Sequence, residues 1–193
     1  MDDFILYLKL AFYHVLDWQA YDHILFFIVL AVIYSFKDWK KALLLITFFT
    51  IGHTITLGLS TYNIVRLDSK YVEFLIPLTI FITAFFNLVT FRKKKFHDSN
   101  ANILFSFFFG LIHGLGLSGI LKFTLEEGDN KLAALLEFAL GVELAQILVV
   151  IIILIVGFIA QEFFKIKKRD WVLILSSIVI GIVLPMLVAR KFW

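Results

Sequence analysis

The sequence predicts an all-α, polytopic membrane helix bundle that forms one transmembrane domain over residues 1–193, and three observations predict it. Hydrophobic residues make up 61% of the chain, against roughly half in a soluble domain, and the mean hydropathy is +0.94. The 18 basic and 15 acidic residues gather in short clusters between long apolar runs. Those runs are continuous rather than alternating, which favours helices over a barrel. Each comes close to the roughly 20 residues that cross about 30 Å of hydrocarbon.

Six spans follow in order, at 20–36, 41–62, 71–91, 102–122, 131–161 and 170–189. The fifth is long enough to tilt or to protrude. Residues 3–17 are too short for a span and read as an amphipathic helix, interfacial or re-entrant, with Phe4, Leu8, Ala11, Phe12 and Val15 on one side. The start, Met1-Asp2-Asp3, lacks the basic stretch of a cleaved signal peptide.

Loop charge orients the bundle. Lys37, Lys40 and Lys41 follow the first span, Arg92, Lys93, Lys94 and Lys95 the third, and Lys165, Lys167, Lys168 and Arg169 the fifth. These alternate loops hold 11 of the 18 basic residues, while an opposite loop carries Glu126, Glu127 and Asp129. Cation-rich loops stay in the cytoplasm, so both termini are expected outside the cytoplasm in a multi-pass cell (inner) membrane protein. All four tryptophans (Trp18, Trp39, Trp171 and Trp193) fall at expected interfaces. The same placement assigns the sequence pI near 9.0 to topology and not to nucleic acid.

Ionisable groups inside a bilayer cost about 2.5–3.5 kcal/mol each on insertion scales and are functional candidates by default. His53 lies in the second span, His113 in the fourth, and Glu137, Glu143 and Gln146 in the fifth. Asp22 and His23 open the first span and Glu73 the third. At 1.5 Å per residue, His53 and His113 lie about 14 and 12 Å from the outer ends of their helices, with Glu137 about 9 Å and Glu143 about 18 Å deep. The inner half offers neutral groups such as Thr83, Asn87 and Ser106. Gly110 and Gly114 form a small-xxx-small pattern that permits close helix approach.

Neutral imidazole with carboxylate suits zinc, nickel, cobalt, iron or manganese. The absence of cysteine excludes thiolate sites, and two methionines offer little to a soft copper(I) ion. The expected ligands are His23, His53, His113, Glu143, Asp22 and Glu137, with His14, Glu73, Thr54 and Gln146 placed to orient them. Each has a plainer reading. Asp22 can cap a helix, Glu73 can favour a helix dipole, His14 and His23 can be interfacial rings, and His53 and His113 can be packing residues.

Four segments carry a resemblance. They are Ala20-Tyr21-Asp22-His23-Ile24-Leu25-Phe26, Phe49-Thr50-Ile51-Gly52-His53-Thr54-Ile55-Thr56-Leu57, Phe109-Gly110-Leu111-Ile112-His113-Gly114-Leu115-Gly116 and Phe138-Ala139-Leu140-Gly141-Val142-Glu143-Leu144-Ala145-Gln146. In this order the chain resembles the HupE/UreJ family of membrane proteins, associated with nickel supply to hydrogenase and urease. The resemblance implies a transporter of nickel or a related cation, with Asp22, His23, His53, His113 and Glu143 at matching positions. Ala20, Ala139 and Ala145 depart from the family pattern, as does the longer spacing from His14 to Asp22.

The expected function is therefore transport of a divalent transition-metal ion, nickel foremost with cobalt or zinc as alternatives. Its partners are the ion and the lipid bilayer, and self-association as a homo-oligomer stays open. An intramembrane zinc hydrolase and a metal-binding accessory subunit are the rival readings.

Overall fold

A computed structural model describes residues 2–17, 21–90, 100–125 and 130–193. Among the described residues, seven α-helices follow one another: α1 Asp2–Val15, α2 Asp22–Ala31, α3 Trp39–Thr61, α4 Ser69–Thr90, α5 Asn100–Thr124, α6 Lys131–Glu162 and α7 Lys168–Ala189. No strand occurs among the described residues. Among them, four stretches are long and apolar enough to cross a membrane: α3 with the turn before it, α4, α6 and α7. The basic run at 92–95, the acidic loop at 126–129 and Trp18 lie outside the described residues.

The segment expected as the first span differs most. It is helical only over the ten residues of α2, about 15 Å or half the hydrocarbon thickness. Its side chains are nevertheless almost all buried, from Asp22 and His23 through Phe26, Phe27 and Val29 to Ile33 and Tyr34. A helix that is apolar all round and enclosed by others is a core element. Its free carbonyl end needs donors inside the bundle, and Asn87 of α4 supplies one to the Val29 carbonyl at 2.7 Å. The chain then reverses through a 3-10 turn over Phe36–Asp38, where the Ser35 hydroxyl donates to Asp38.

α1 also departs from expectation. Its buried face is Tyr7, Ala11 and Val15, whereas Phe4 is exposed. It packs on α6 at Gly141, where a Cβ would overlap the Leu8 carbonyl oxygen. The helix is thus docked on the bundle rather than lying alone at an interface.

Cross-contacts fix the register. Gly110 lies against the Phe49 backbone and Gly114 against that of His53, so α3 and α5 run parallel. Glu73 meets Arg190 and Asn87 meets Ser176, so α4 and α7 are antiparallel. Thr50 bonds Gln146 and Gly58 touches Leu135, so α3 and α6 are antiparallel as well. Asp22, Glu73 and Arg190 share one end of the bundle. Phe36 and Phe158, with ring centroids 6.0 Å apart, mark the other. α6 begins on Asn130, whose side chain accepts from the Leu132 and Ala133 amides at 3.1 and 3.2 Å, an ordinary N-cap.

The α3–α5 seam has no room for a methyl group. A Cβ on Gly110 would overlap the Phe49 carbonyl, and one on Gly114 the His53 carbonyl. Overpacking of this kind costs about 1–3 kcal/mol. Gly110→Ala is expected to lower the melting temperature in detergent clearly. Gly181→Ala, where a Cβ meets nothing within 4 Å, is expected to leave it nearly unchanged.

Candidate metal centre

Four helices bring four imidazoles together. His14 stands in the last turn of α1 and His23 in the first turn of α2. Their rings meet edge to face with centroids 5.0 Å apart. His23 also faces His113 of α5 at 5.4 Å and His53 of α3 at 6.5 Å. His23 is the hub. His53 and His113 are each 1% exposed and His23 5%, so these three are removed from solvent, while His14 is half-buried.

The α3–α5 glycine seam explains the inner pair. Gly114 follows His113 directly and rests on the His53 backbone, so the two histidines occupy neighbouring levels of tightly apposed helices. Asp22 supplies the acid. Its Oδ1 accepts from the His23 amide at 2.9 Å and lies 3.2 Å from His23 Nδ1, a pair close enough to attract but misaligned for a hydrogen bond. Its Oδ2 lies 3.5 Å from Arg190 Nη1.

Five ring nitrogens of this cluster are buried with no hydrogen-bond partner in the protein: both of His23, both of His53, and Nδ1 of His113. Leaving a buried polar group unpaired costs about 1–3 kcal/mol. Five such groups in one place call for an explanation beyond packing. Each neutral ring has one N–H and one lone pair, so three lone pairs, one per ring, kept available for a cation provide that explanation.

His113 can be read further. The Thr79 hydroxyl has one proton and donates it to the Ile76 carbonyl at 2.7 Å. Towards His113 Nε2, 3.2 Å away, Thr79 therefore accepts, and Nε2 carries the ring proton. The lone pair then sits on the unpartnered Nδ1, which is the atom free to bind an ion. A second partner that fixes the tautomer of a ligating imidazole is the usual arrangement around metals.

Among the described residues, no three His, Asp or Glu side chains already converge as a ready-made metal site. Two imidazoles sharing an ion with bonds of about 2.1 Å hold their centroids roughly 5 Å apart. The His14–His23 and His23–His113 spacings match that, while His53 has to approach by about 1 Å. Ring rotation, together with a small helix adjustment, would complete the shell around His23.

Beneath the imidazoles lies a layer of phenylalanines. Phe27, Phe49 and Phe109 sit one turn from His23, His53 and His113, each on the side away from Asp22, and Phe26 lies among them. Phe26 stands 5.0 Å from Phe49 and 6.0 Å from Phe109. Past this layer a cavity of about 70 Å³ opens between α2, α4 and α5, lined in part by Thr83, Asn87, Thr90, Ser106 and Phe109. No histidine lines it. Thr83, Thr90 and Ser106 donate their hydroxyl protons to backbone carbonyls, so each keeps lone pairs to offer.

The remaining expected residues lie elsewhere. Glu143 accepts a hydrogen bond from Thr47 at 2.6 Å on the α3–α6 seam, with its Oε2 buried and unpaired. Gln146, fully buried, accepts from Thr50 at 3.1 Å one turn further along the same seam. Glu137 is half-buried on α6, and Glu73 is exposed, contributing only its backbone carbonyl to Arg190. Thr54, next to His53, has a buried hydroxyl without a partner. Thr79, Arg190 and the phenylalanine layer were missed, since nothing beyond ordinary span composition marks them in the sequence.

A helical membrane protein with a buried imidazole cluster and one carboxylate near one end of its bundle is the class this geometry defines. The family model described as HupE / UreJ protein matches residues 1–191, and the chain belongs to that family. Comparison with curated proteins and with solved structures gives no match.

If Thr79 fixes the His113 tautomer, Thr79→Val weakens Ni2+ or Zn2+ binding by about 10–100-fold, while Thr79→Ser stays close to wild type. Calorimetric titration in detergent checks both. Equal affinity in all three proteins would remove Thr79 from the site.

Proposed function

We propose that this protein carries a divalent transition-metal ion across the cell (inner) membrane, with nickel the foremost substrate and cobalt or zinc as alternatives. One observation carries the reading: five unpartnered imidazole nitrogens clustered around His23 and backed by Asp22. Family membership supports it, since the family is associated with nickel supply.

In this reading His14, His23, His53, His113 and Asp22 form the outer binding station. Glu143 and Gln146 act from the adjoining seam, either as ligands after a helix shift or by holding α6 against α3. Glu137 and Glu73 attract the cation towards the outer end, and Thr54 steadies His53. Six crossings, α2 to α7, with α1 re-entrant beside α6, leave both termini outside the cytoplasm. The alternating directions of α3, α4, α6 and α7, together with the basic loops, support that topology.

Passage inward crosses the phenylalanine layer into the acceptor-lined cavity. Inward movement of a dication gains roughly 2.3 kcal/mol per charge per 100 mV of membrane potential. No phosphate-binding loop marks the sequence as an ATPase. An intramembrane hydrolase needs a substrate entrance beside the imidazoles, and the side cavity stops at Phe109, one turn short of His113.

Proteoliposomes with purified protein and an inside-negative potential test the proposal. Wild type is expected to take up Ni2+ or Co2+ and His113→Ala to lose at least about 90% of that uptake, as does His23→Ala. Equal uptake by wild type and both variants would overturn transport, and tight binding without uptake would leave an accessory metal-binding role.

A further inference from the structure

Arg190 holds a position that metal binding alone does not explain. It caps the end of α7 and reaches across two other helices. Its Nη1 lies 3.5 Å from Asp22 Oδ2 on α2 and 3.4 Å from the Glu73 carbonyl on α4. That carbonyl is free for a chemical reason. Pro77 stands four residues on and has no N–H to donate back to it. Proline in α4 thus creates the acceptor on which the guanidinium rests.

The residues after Arg190 secure the same contact. The Phe192 ring lies 4.8 Å from Tyr71 and 5.3 Å from Phe74, and the Trp193 ring 5.3 Å from Phe74. Both partners belong to the first turns of α4. The end of α7 is therefore strapped to α4, with a cation pointing at Asp22.

Charge makes this arrangement conditional. Asp22 is the carboxylate beside the hub imidazole, its Oδ1 3.2 Å from His23 Nδ1. Its side chain is only 10% exposed, so with no ion present it needs a counter-charge, and Arg190 supplies it. A dication held by Asp22 and His23 would place two cations on the two oxygens of one partly buried carboxylate. Their repulsion is strong at such distances and weakly screened there. The Arg190 side chain, 31% exposed, has water to move into.

We infer that Arg190 is a built-in stand-in for the substrate cation: it occupies Asp22 when no metal is bound, is expelled when a divalent ion arrives, and releases the end of α7 from α4 as it leaves. The inference rests on the reading of Asp22 and His23 as the outer metal station. It adds a positioning residue that sets apparent affinity and couples occupancy to the α2–α4–α7 contact. An open clasp populated about one time in ten lowers apparent affinity tenfold.

The test is Co2+ titration of the full chain in detergent, read by the visible bands of the bound ion. Arg190→Gln is expected to tighten binding about tenfold, and Arg190→Lys to stay near wild type. In an Asp22→Asn background the gain from Arg190→Gln should vanish. Unchanged or weaker binding in Arg190→Gln, or an equal gain without Asp22, would overturn the inference. Identical binding by wild type and His23→Ala would instead strike the metal station itself. Should Arg190→Gln not fold, the chain's lack of cysteine offers a second route. A nitroxide on Lys191→Cys is expected to gain mobility when Zn2+ is added, and no change in its spectrum would overturn the clasp.

Discussion

The backbones of α3 and α5 touch directly, and the site depends on that contact. Gly52, Gly110 and Gly114 each face a carbonyl or amide of the opposite helix where a side chain would otherwise stand. In a bilayer such proximity is gained through packing and not through expulsion of water. Its consequence is chemical. His53 and His113 are carried at nearly the same depth on a rigid pair, and the short, buried α2 lies beside that pair with His23 facing both. A looser seam would separate the rings and leave the hub without a shell.

Polar groups elsewhere in the bundle mostly find partners. Asn87 serves the buried carbonyl end of α2, Ser106 joins α5 to the Leu45 carbonyl, and Thr79 holds His113. Thr54 Oγ1, Glu143 Oε2 and Gln146 Nε2 are also buried without a partner, but the five imidazole nitrogens form the densest group among the described residues. Asp22 brings one negative charge to them, and Arg190, seated on the Pro77-freed carbonyl of Glu73, balances it. On the side away from Asp22 the phenylalanine layer separates the imidazole nitrogens from hydroxyl and amide oxygens. The two sides thus differ in ligand strength: imidazole and carboxylate grip a transition-metal ion firmly, while neutral oxygens hold it loosely. That gradient suits capture on one side and release on the other.

Much of this was legible in the residues. Continuous apolar runs gave the helices, and the second, third, fifth and sixth expected spans coincide closely with α3, α4, α6 and α7. His23, His53 and His113 stood out because bilayers penalise them, and the structure brings them together. The first expected span is helical over ten residues only, which the sequence hides because hydrophobic length does not reveal where a helix ends inside a bundle. α1 was expected to be interfacial or re-entrant. Its docking on α6 was not legible because a 14-residue amphipathic face fits a bundle as well as an interface; the close contact at Gly141 reveals it. His14 accordingly gained in standing, from an orienting group to a direct neighbour of His23. Glu143 matched the motif, yet it bonds to Thr47, since neighbours on a helix face depend on crossing geometry that spacing does not encode. The Asp22–Arg190 pair joins residues 168 positions apart, and no local pattern announces it.

The central claim is that several imidazoles close around one ion. X-ray absorption on Zn2+-loaded protein tests it most directly. The account predicts a first shell of nitrogen and oxygen at about 2.0–2.1 Å, with the outer-shell scattering of at least two imidazole rings, reduced in His23→Ala. A shell of oxygens alone, with no imidazole scattering and no change in His23→Ala, would contradict it.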